Sequence, residues 1–226
     1  MNDWKKPEHH WHVYEQMQQA SEAAADFIAR KIDESVKHRN ICHVILPGGN
    51  TPVQCLKYLL KAPLPWHKIH WYPGDERCYP EGHAERNDVM LHAHFWSHID
   101  QPNVHRIPAE SGTEQGALLF RKSIAAIKQF DIAFLGMGED GHTASLFPDN
   151  AALDDVRSVV PVYHSPKAPD ERISLSVSTL RKAHYRVVLT GGIGKASVVR
   201  QIKNGAQLPV NTIGDINWFV DNDIMS

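Results

Sequence analysis

The order of apolar and polar positions predicts short strands that alternate with amphipathic helices. Apolar residues recur at helical spacing over residues 13–38, with charged residues between them. Short apolar runs at 41–47, 132–135 and 184–190 have the length and side chains of strands. The same reasoning predicts further strands at 68–73, 104–108, 158–162, 172–177 and 216–221, and helices at 53–60, 89–96, 112–129 and 198–202.

This alternation determines the expected fold class. Strands that alternate with helices form a mostly parallel sheet whose two faces are covered by helices. A run that is apolar throughout, such as 132–135, is typical of a strand buried on both faces. Because no repeat, low-complexity tract or linker divides the chain, we expect an α/β fold in which residues 1–226 form a single domain.

Composition narrows the possible partners. The net charge of the 226 residues is −2, so no global field favours nucleic acid or an anionic membrane. No stretch has the length and hydropathy of a signal core or a membrane span, and we expect a cytoplasmic protein. The three cysteines lack Cys-x-x-Cys spacing, and the fifteen histidines form no His-Glu-x-x-His frame. We therefore predict no metal site and no cofactor.

The segment 131–149 (DIAFLGMGEDGHTASLFPD) carries the densest group of chemically active residues. Its strand ends in glycines, which let the backbone turn sharply and approach a ligand. In open α/β sheets, ligands bind beyond the carboxyl ends of the strands. Asp140 and His142 follow such an end. A plain turn, with Asp140 as a helix cap and His142 on the surface, is the alternative interpretation.

Two glycine loops each lead into a predicted helix. Gly48, Gly49, Asn50 and Thr51 follow the strand 41–47, and such loops expose backbone N–H groups that bind phosphate. An ordinary strand-to-helix turn also explains these residue types. The second loop, at 191–194, follows the strand 184–190, and Lys195 comes next, in the first turn of the helix that this loop opens. The helix dipole disfavours a cation there, which suggests an anionic partner unless the side chain simply points into water.

Further polar residues follow other predicted strands. Asp75 and Arg77 come directly after the strand 68–73, where charged residues are usual in a solvated loop. Alternatively, Arg77 reaches a ligand oxygen while Asp75 orients it or binds hydroxyl groups. Asn87 is either a helix cap or a ligand contact. Arg172, at the start of its strand, is either exposed or faces the site.

Several of these segments together resemble the 6-phosphogluconolactonase family. The resemblance runs nearly end to end, and its central motif, GMGEDGHTASLFP at 136–148, is long and specific. The other matching segments are LPGGNTP at 46–52, GDER at 74–77, PKAP at 166–169, RISL at 172–175 and GK at 194–195. The resemblance implies the Rossmann-like α/β fold shared with glucosamine-6-phosphate deaminases. It also implies hydrolysis of 6-phospho-D-glucono-1,5-lactone in the oxidative pentose phosphate pathway.

The implied reaction suggests a role for each candidate. Hydrolysis needs a base that activates water, and an imidazole such as His142 has a suitable pKa. Asp140 would orient His142, while Arg77 or loop N–H groups would stabilise negative charge on the carbonyl oxygen. The phosphate would lie against the loop 48–51, with Arg172 and Lys195 as counter-charges. Because a lactone is already an activated ester, no metal is needed.

The sequence departs from the family pattern in two places. The first loop usually reads SGGSTP, whereas this chain has Pro47 and Asn50 in place of the two serines, and Asn50 still carries a donor. Arg86 stands where the family commonly has serine, which places a cation near the expected pocket. Neither change removes a group that the reaction requires.

Two other functions remain open. Deaminases of the same superfamily carry a glutamate where this chain has Phe147, and commonly read Asp-Glu-Tyr where it has Arg77, so both positions favour the lactonase. A sugar-phosphate sensor without catalysis is a second alternative, although this chain has no basic patch for reading DNA. We expect a small phosphosugar lactone as the only partner of a monomer or small homo-oligomer.

Overall fold

A computed structural model describes residues 7–226, which contain ten strands and six α-helices. The strands are β1 (His9–Tyr14), β2 (Cys42–Leu46), β3 (Ile69–Pro73), β4 (Asp75–Arg77), β5 (Asn103–Val104), β6 (Ile132–Leu135), β7 (Val159–Val162), β8 (Arg172–Leu175), β9 (Tyr185–Thr190) and β10 (Ile216–Asp221). The helices are α1 (Met17–Arg39), α2 (Thr51–Leu59), α3 (Asn87–His94), α4 (Thr113–Ser123), α5 (Val177–Arg181) and α6 (Ala196–Lys203).

Seven strands form the main sheet, in the order β1-β10-β9-β6-β2-β3-β5. Every neighbouring pair in this sheet is parallel. The carboxyl ends of all seven strands therefore meet at one edge, which is where an open α/β sheet binds its ligands. The expected α/β fold with a mostly parallel sheet is confirmed.

Helices cover both faces of the main sheet, because alternate residues of its strands enter two different cores. On β2, Val44 packs with α1, α2 and α3, whereas Ile45 packs with α4 and α6. On β6, Phe134 belongs to the first core and Leu135 to the second. Both strands are apolar throughout because each of their faces is buried.

A second, three-stranded antiparallel sheet in the order β4-β8-β7 was not predicted. Its strand β4 consists of Asp75, Glu76 and Arg77, which read as a solvated loop because all three are charged. In the structure Asp75 and Glu76 are buried and are satisfied by partners far along the chain. The sheet packs on the core formed with α4 and α6, and β8 carries Arg172 into the same region.

The predicted boundaries need several corrections. Residues 9–14 form the edge strand β1, whereas the helical pattern was predicted to begin at residue 13. The strand predicted over 172–177 ends at Leu175, because the hydroxyl of Ser176 caps α5 by accepting the N–H of Thr179. The strand at 104–108 shortens to β5, and the helix at 112–129 ends at Ser123.

The amino end of α3 is held by buried charged side chains. Glu76, which is completely buried, accepts the backbone N–H groups of Arg77, Asn87 and Asp88 at 2.7–2.8 Å. Burial raises the pKa of Glu76 to about 7, although these three hydrogen bonds favour its ionised form. Arg86 donates from Nε and Nη2 to both carboxylate oxygens of Asp88, at 3.0 and 2.9 Å.

The remaining donors of Arg86 join α3 to two other segments. Nη1 donates to Glu110 at 2.8 Å and to the carbonyl of Tyr79 at 3.1 Å, and Nη2 donates to the carbonyl of Ile107 at 3.1 Å. All these contacts lie within the protein, and Arg86 is only 2% exposed. Arg86 is therefore a structural cation of the fold rather than a charge in the pocket, which corrects the expectation from sequence.

Replacement of Arg86 by serine, the residue that the resembling family commonly has, should destabilise this protein. The change leaves the buried Asp88 carboxylate without its cation, which typically costs about 3–5 kcal/mol. Urea unfolding monitored by circular dichroism would measure the loss. Arg106→Ser is the matched control, because Arg106 forms an exposed pair with Glu81 at 3.8 Å and should contribute less than about 1 kcal/mol. Equal losses in the two variants would contradict the structural role of Arg86.

Candidate active site

A pocket of about 390 Å³ lies at the carboxyl edge of the main sheet. Its walls come from the loops after β2, β3 and β6, from the β7–β8 loop, and from the start of α6. All the predicted site residues except Asp140 line it, namely Gly48, Gly49, Asn50, Thr51, Asp75, Arg77, Asn87, His142, Arg172 and Lys195. Segments more than a hundred residues apart thus form a single site.

His142 and Asp140 form a hydrogen-bonded pair in the loop after β6. Nδ1 of His142 lies 2.5 Å from Oδ1 of Asp140, whose carboxylate also accepts the backbone N–H of His142 at 3.2 Å. Because a carboxylate can only accept, we assign the ring proton to Nδ1. Nε2 then remains as the acceptor of the ring, and it makes no hydrogen bond within residues 7–226.

Glycine at position 138 makes this geometry possible. A Cβ atom there would lie 2.1 Å from both Nδ1 and Cε1 of the His142 ring, so only glycine allows the imidazole to lie against the backbone. The ring also contacts Phe147, with ring centroids 4.6 Å apart. The imidazole therefore packs against both the glycine loop and an aromatic side chain.

The surroundings of His142 keep it neutral near pH 7. Burial lowers the pKa of His142 below its usual range, and the charge of Lys167 acts in the same direction. Asp140 and Asp75 raise this pKa without overcoming the effect of burial. Burial also opposes ionisation of Asp140, but its side-chain and backbone hydrogen bonds and its electrostatic interaction with His142 together outweigh this and hold the pKa of Asp140 below the usual range. A neutral imidazole beside a carboxylate can accept a proton.

The glycine loop after β2 presents polar groups to the pocket. Asn50 immediately precedes α2, and its side chain makes no capping hydrogen bond, so its amide is available to a ligand. Thr51 begins the helix, and both side chains are exposed. A Cβ atom on Gly48 would lie 2.0 Å from Oδ1 of Asn87, so glycine is required there for the Asn87 amide to reach the pocket.

Asp75 and Asn87 are fixed to one another beside the glycine loop. Nδ2 of Asn87 donates to the backbone carbonyl of Asp75 at 2.9 Å and to its Oδ1 at 3.2 Å. The hydroxyl of Ser145 donates to Oδ2 of Asp75 at 2.5 Å. Asp75 is only 6% exposed, so these contacts set the direction of its carboxylate. Asn87 is the first residue of α3 rather than its cap.

Arg77 has unused donors beside the pocket. Its Nη1 donates to the carbonyl of Glu85 at 2.6 Å and to the carboxylate of Glu85 at 3.0 Å. Its Nε is buried and has no hydrogen-bond partner within residues 7–226. Because this atom is closed to solvent, what Arg77 offers a ligand oxygen is the positive charge of its guanidinium at the pocket wall.

Arg172 and Lys195 add positive charge to the pocket. From sequence, Arg172 was either exposed or facing the site. It is 6% exposed and lines the pocket, so it faces the site. Its guanidinium lies over the Phe147 ring at 5.6 Å. Nζ of Lys195 donates to the hydroxyl of Thr190 at 3.0 Å. Burial lowers the pKa of Lys195, whereas the nearby Glu139 carboxylate raises it.

Sequence reasoning missed three residues that build the site. Glu76 and Ser145 are completely buried and hold Asn87 and Asp75 in place. Lys167 lines the pocket from the β7–β8 loop, although no role was assigned to it. Its place in the family-like PKAP segment was the available signal. For Glu76 and Ser145, nothing local distinguished a buried partner from a surface polar residue.

Residues 7–226 contain no group of three or more His, Cys, Asp or Glu side chains that could hold a metal ion. Over the same residues, no helix is long and apolar enough to cross a membrane.

Comparison with known proteins places this site in a family. The family model described as "Glucosamine-6-phosphate isomerases/6-phosphogluconolactonase" matches residues 15–219. A 6-phosphogluconolactonase from Mycobacterium tuberculosis is 33% identical over 225 residues, covering 89% of this chain and 91% of that protein. A crystal structure of 6-phosphogluconolactonase from Thermotoga maritima superposes with a TM-score of 0.88 and 26% identity, covering 95% of this chain and 100% of that one.

The fold extends to the deaminase branch. A monomeric glucosamine-6-phosphate deaminase superposes with a TM-score of 0.84 at 17% identity, covering 96% of this chain and 98% of that one. At this identity the likeness concerns the fold alone. With the family model matching most of its length, the chain belongs to the glucosamine-6-phosphate isomerase/6-phosphogluconolactonase family.

Proposed function

We propose that this protein is a 6-phosphogluconolactonase, an enzyme that hydrolyses 6-phospho-D-glucono-1,5-lactone to 6-phospho-D-gluconate in the pentose phosphate pathway. The observation that carries the proposal is the neutral His142 paired with Asp140 in a pocket that also contains basic side chains. The lactonases among its relatives support the same reaction. The residue roles below are part of the proposal, as is the organisation of residues 1–226 as one domain.

Water attack is the first step. Nε2 of His142 takes a proton from water as the water oxygen bonds to the lactone carbonyl carbon. The resulting imidazolium is stabilised by Asp140, which accepts its Nδ1–H. The carbonyl π electrons move to the oxygen, which becomes an oxyanion. Arg77 supplies positive charge there from the wall of the pocket.

Ring opening is the second step. The oxyanion reforms a C=O bond as the bond to the ring oxygen breaks, and His142 returns its proton to that oxygen. The product hydroxyl and carboxylic acid form, and the acid ionises in water. His142 thus ends neutral, as it began. No redox change occurs, and the only co-reactant is water.

The rest of the pocket would bind and orient the substrate. The phosphate lies against backbone N–H groups and side chains of the loop 48–51, with Lys195 and Arg172 as cations. Asp75 accepts hydrogen bonds from sugar hydroxyls, since Asn87 and Ser145 fix its carboxylate. This arrangement places the phosphate and the carbonyl in different parts of one pocket.

The deaminase alternative is disfavoured by the side chain next to the proposed base. Phe147 is 1% exposed and contacts the His142 ring, at the position where the deaminases carry a glutamate. A phenyl ring cannot transfer protons. We therefore expect no release of ammonia from glucosamine 6-phosphate.

Substitution of His142 by alanine should abolish most of the catalysis. Loss of a general base typically costs 10²–10⁴-fold in rate, and here we expect a kcat decrease of at least about a hundredfold. Appearance of 6-phosphogluconate from freshly generated lactone, corrected for spontaneous hydrolysis, measures it. His38→Ala is the matched control, because His38 is exposed in the last turn of α1 and lies outside the pocket. A folded His142→Ala variant with wild-type kcat would contradict the role of His142.

The pH dependence of kcat/KM should report the ionisation of His142. Because its pKa is lowered, the active neutral form predominates at pH 7, and kcat/KM should fall below a midpoint under pH 6.5. Asp140→Asn removes a charge that raises this pKa, so the midpoint should move to still lower pH while kcat falls. A midpoint above 6.5 in the wild type, or an upward shift in Asp140→Asn, would exclude this assignment.

A further inference from the structure

The β7–β8 loop forms a wall of the pocket. It contributes Lys167 and Ala168 to the lining, and it connects two strands of the small antiparallel sheet. The side chain of Lys167 makes no ion pair with any acidic group in the described part of the chain. A cation without a counter-ion at the wall of a substrate pocket needs an explanation.

Arg172 holds this loop by its backbone. Nη2 donates to the carbonyl oxygens of Lys167 and Ala168, at 3.0 and 2.9 Å, and Nε lies 3.3 Å from the carbonyl oxygen of Pro169. Two of the three nitrogens of the guanidinium are thus occupied by loop carbonyls. The positive charge of Arg172 contributes to the pocket, but most of its directional hydrogen bonding is structural.

Ser165 fixes the backbone of Lys167 from the other side. Its hydroxyl donates to the carbonyl of Lys167 at 2.8 Å and accepts the N–H of Lys167 at 3.3 Å. The backbone N–H of Ser165 donates to the carbonyl of Asp170 at 3.0 Å, which closes the loop. The backbone of Lys167 is therefore fixed by Ser165 and Arg172, although the Lys167 side chain is exposed.

The charge of Lys167 acts on both functional ends of the pocket. Its proximity lowers the pKa of His142 and also that of Lys195, in each case after the larger effect of burial. Lys167 and Lys195 thus repel one another across the space that they line. A dianion between two ammonium groups removes this repulsion and adds two attractive contacts.

We propose that Lys167 is a direct ligand of the substrate phosphate, together with Lys195, and that Arg172 is a positioning residue that holds the Lys167 loop in place. This proposal rests on the proposed function, because it takes the substrate to be a phosphorylated lactone. It assigns Arg172 a different main task from the counter-charge expected from sequence. It also predicts that substrate binding depends more on the hydrogen bonds from the Arg172 guanidinium to the loop carbonyls than on the charge of Arg172.

The first test compares Lys167→Met with Lys167→Arg and with Lys182→Met. Lys182 is also exposed and lies outside the pocket, so its variant controls for the lost charge. A lost charged hydrogen bond to phosphate should raise KM about tenfold or more in Lys167→Met. kcat should change less than about twofold, and Lys167→Arg should recover most of the affinity. Calorimetric titration with inorganic phosphate should show the same loss of affinity.

The pH profile provides a readout that a merely structural role would not move. Lys167 lowers the pKa of His142, so its removal raises that pKa. The acid limb of kcat/KM should therefore move to higher pH in Lys167→Met and remain at its wild-type position in Lys182→Met. An unmoved limb in Lys167→Met would count against a Lys167 charge close to the site.

The role of Arg172 is tested by Arg172→Lys, which keeps the positive charge but removes the guanidinium and its hydrogen bonds to the loop carbonyls. We expect a rise in KM comparable to that of Lys167→Met, and a double variant little worse than either single one, because both changes affect the same contact. Fully additive effects would overturn the positioning role. Wild-type KM in Arg172→Lys would also overturn it.

Failure of this proposal is distinguishable from failure of the proposed function. If the wild type does not accelerate lactone hydrolysis, the lactonase assignment fails, while loss of phosphate affinity in Lys167→Met still supports the ligand role. If the wild type hydrolyses lactone but Lys167→Met keeps both KM and phosphate affinity, the ligand role of Lys167 fails alone. A fall in kcat with unchanged KM and phosphate affinity would likewise overturn it.

Discussion

The hydrogen bond between His142 and Asp140 is the interaction on which the chemistry of this pocket depends. It fixes the proton on Nδ1 and leaves Nε2 as the acceptor. The bond requires a glycine at position 138, since any Cβ atom there would collide with the imidazole. The pair competes with burial, which keeps the ring neutral. A base that is neutral and correctly oriented needs no proton loss before it can act.

A parallel and an antiparallel sheet both contribute residues to the site. The parallel sheet brings the loops after β2 and β6 to one edge, which places the glycine loop and His142. The antiparallel sheet, through β4 and β8, places Asp75, Arg77 and Arg172. In its register Arg77 lies opposite Arg172, so two cations enter the pocket from neighbouring strands. The small sheet thus supplies three of the charged side chains that line the pocket.

The parallel sheet and most pocket residues were predictable from sequence, because buried apolar runs and glycine loops are local signals. The antiparallel sheet was not. Asp75, Glu76 and Arg77 have the composition of a solvated loop, and only distant partners such as Ser145 and the amino end of α3 allow their burial. The prediction that Arg86 adds a cation to the pocket was wrong for the same reason. Its partners, which are Asp88, Glu110 and two backbone carbonyls, come together with it only in the folded chain.

The position of β10 has a consequence for biosynthesis. This strand lies between β9 and β1, and β1 pairs in the main sheet with β10 alone. The ribosome therefore makes β1 about 200 residues before its partner exists. At roughly 5–20 residues per second, β1 waits about 10–40 s without a neighbouring strand. Its exposed backbone edge is open to other proteins, including chaperones, for that whole interval.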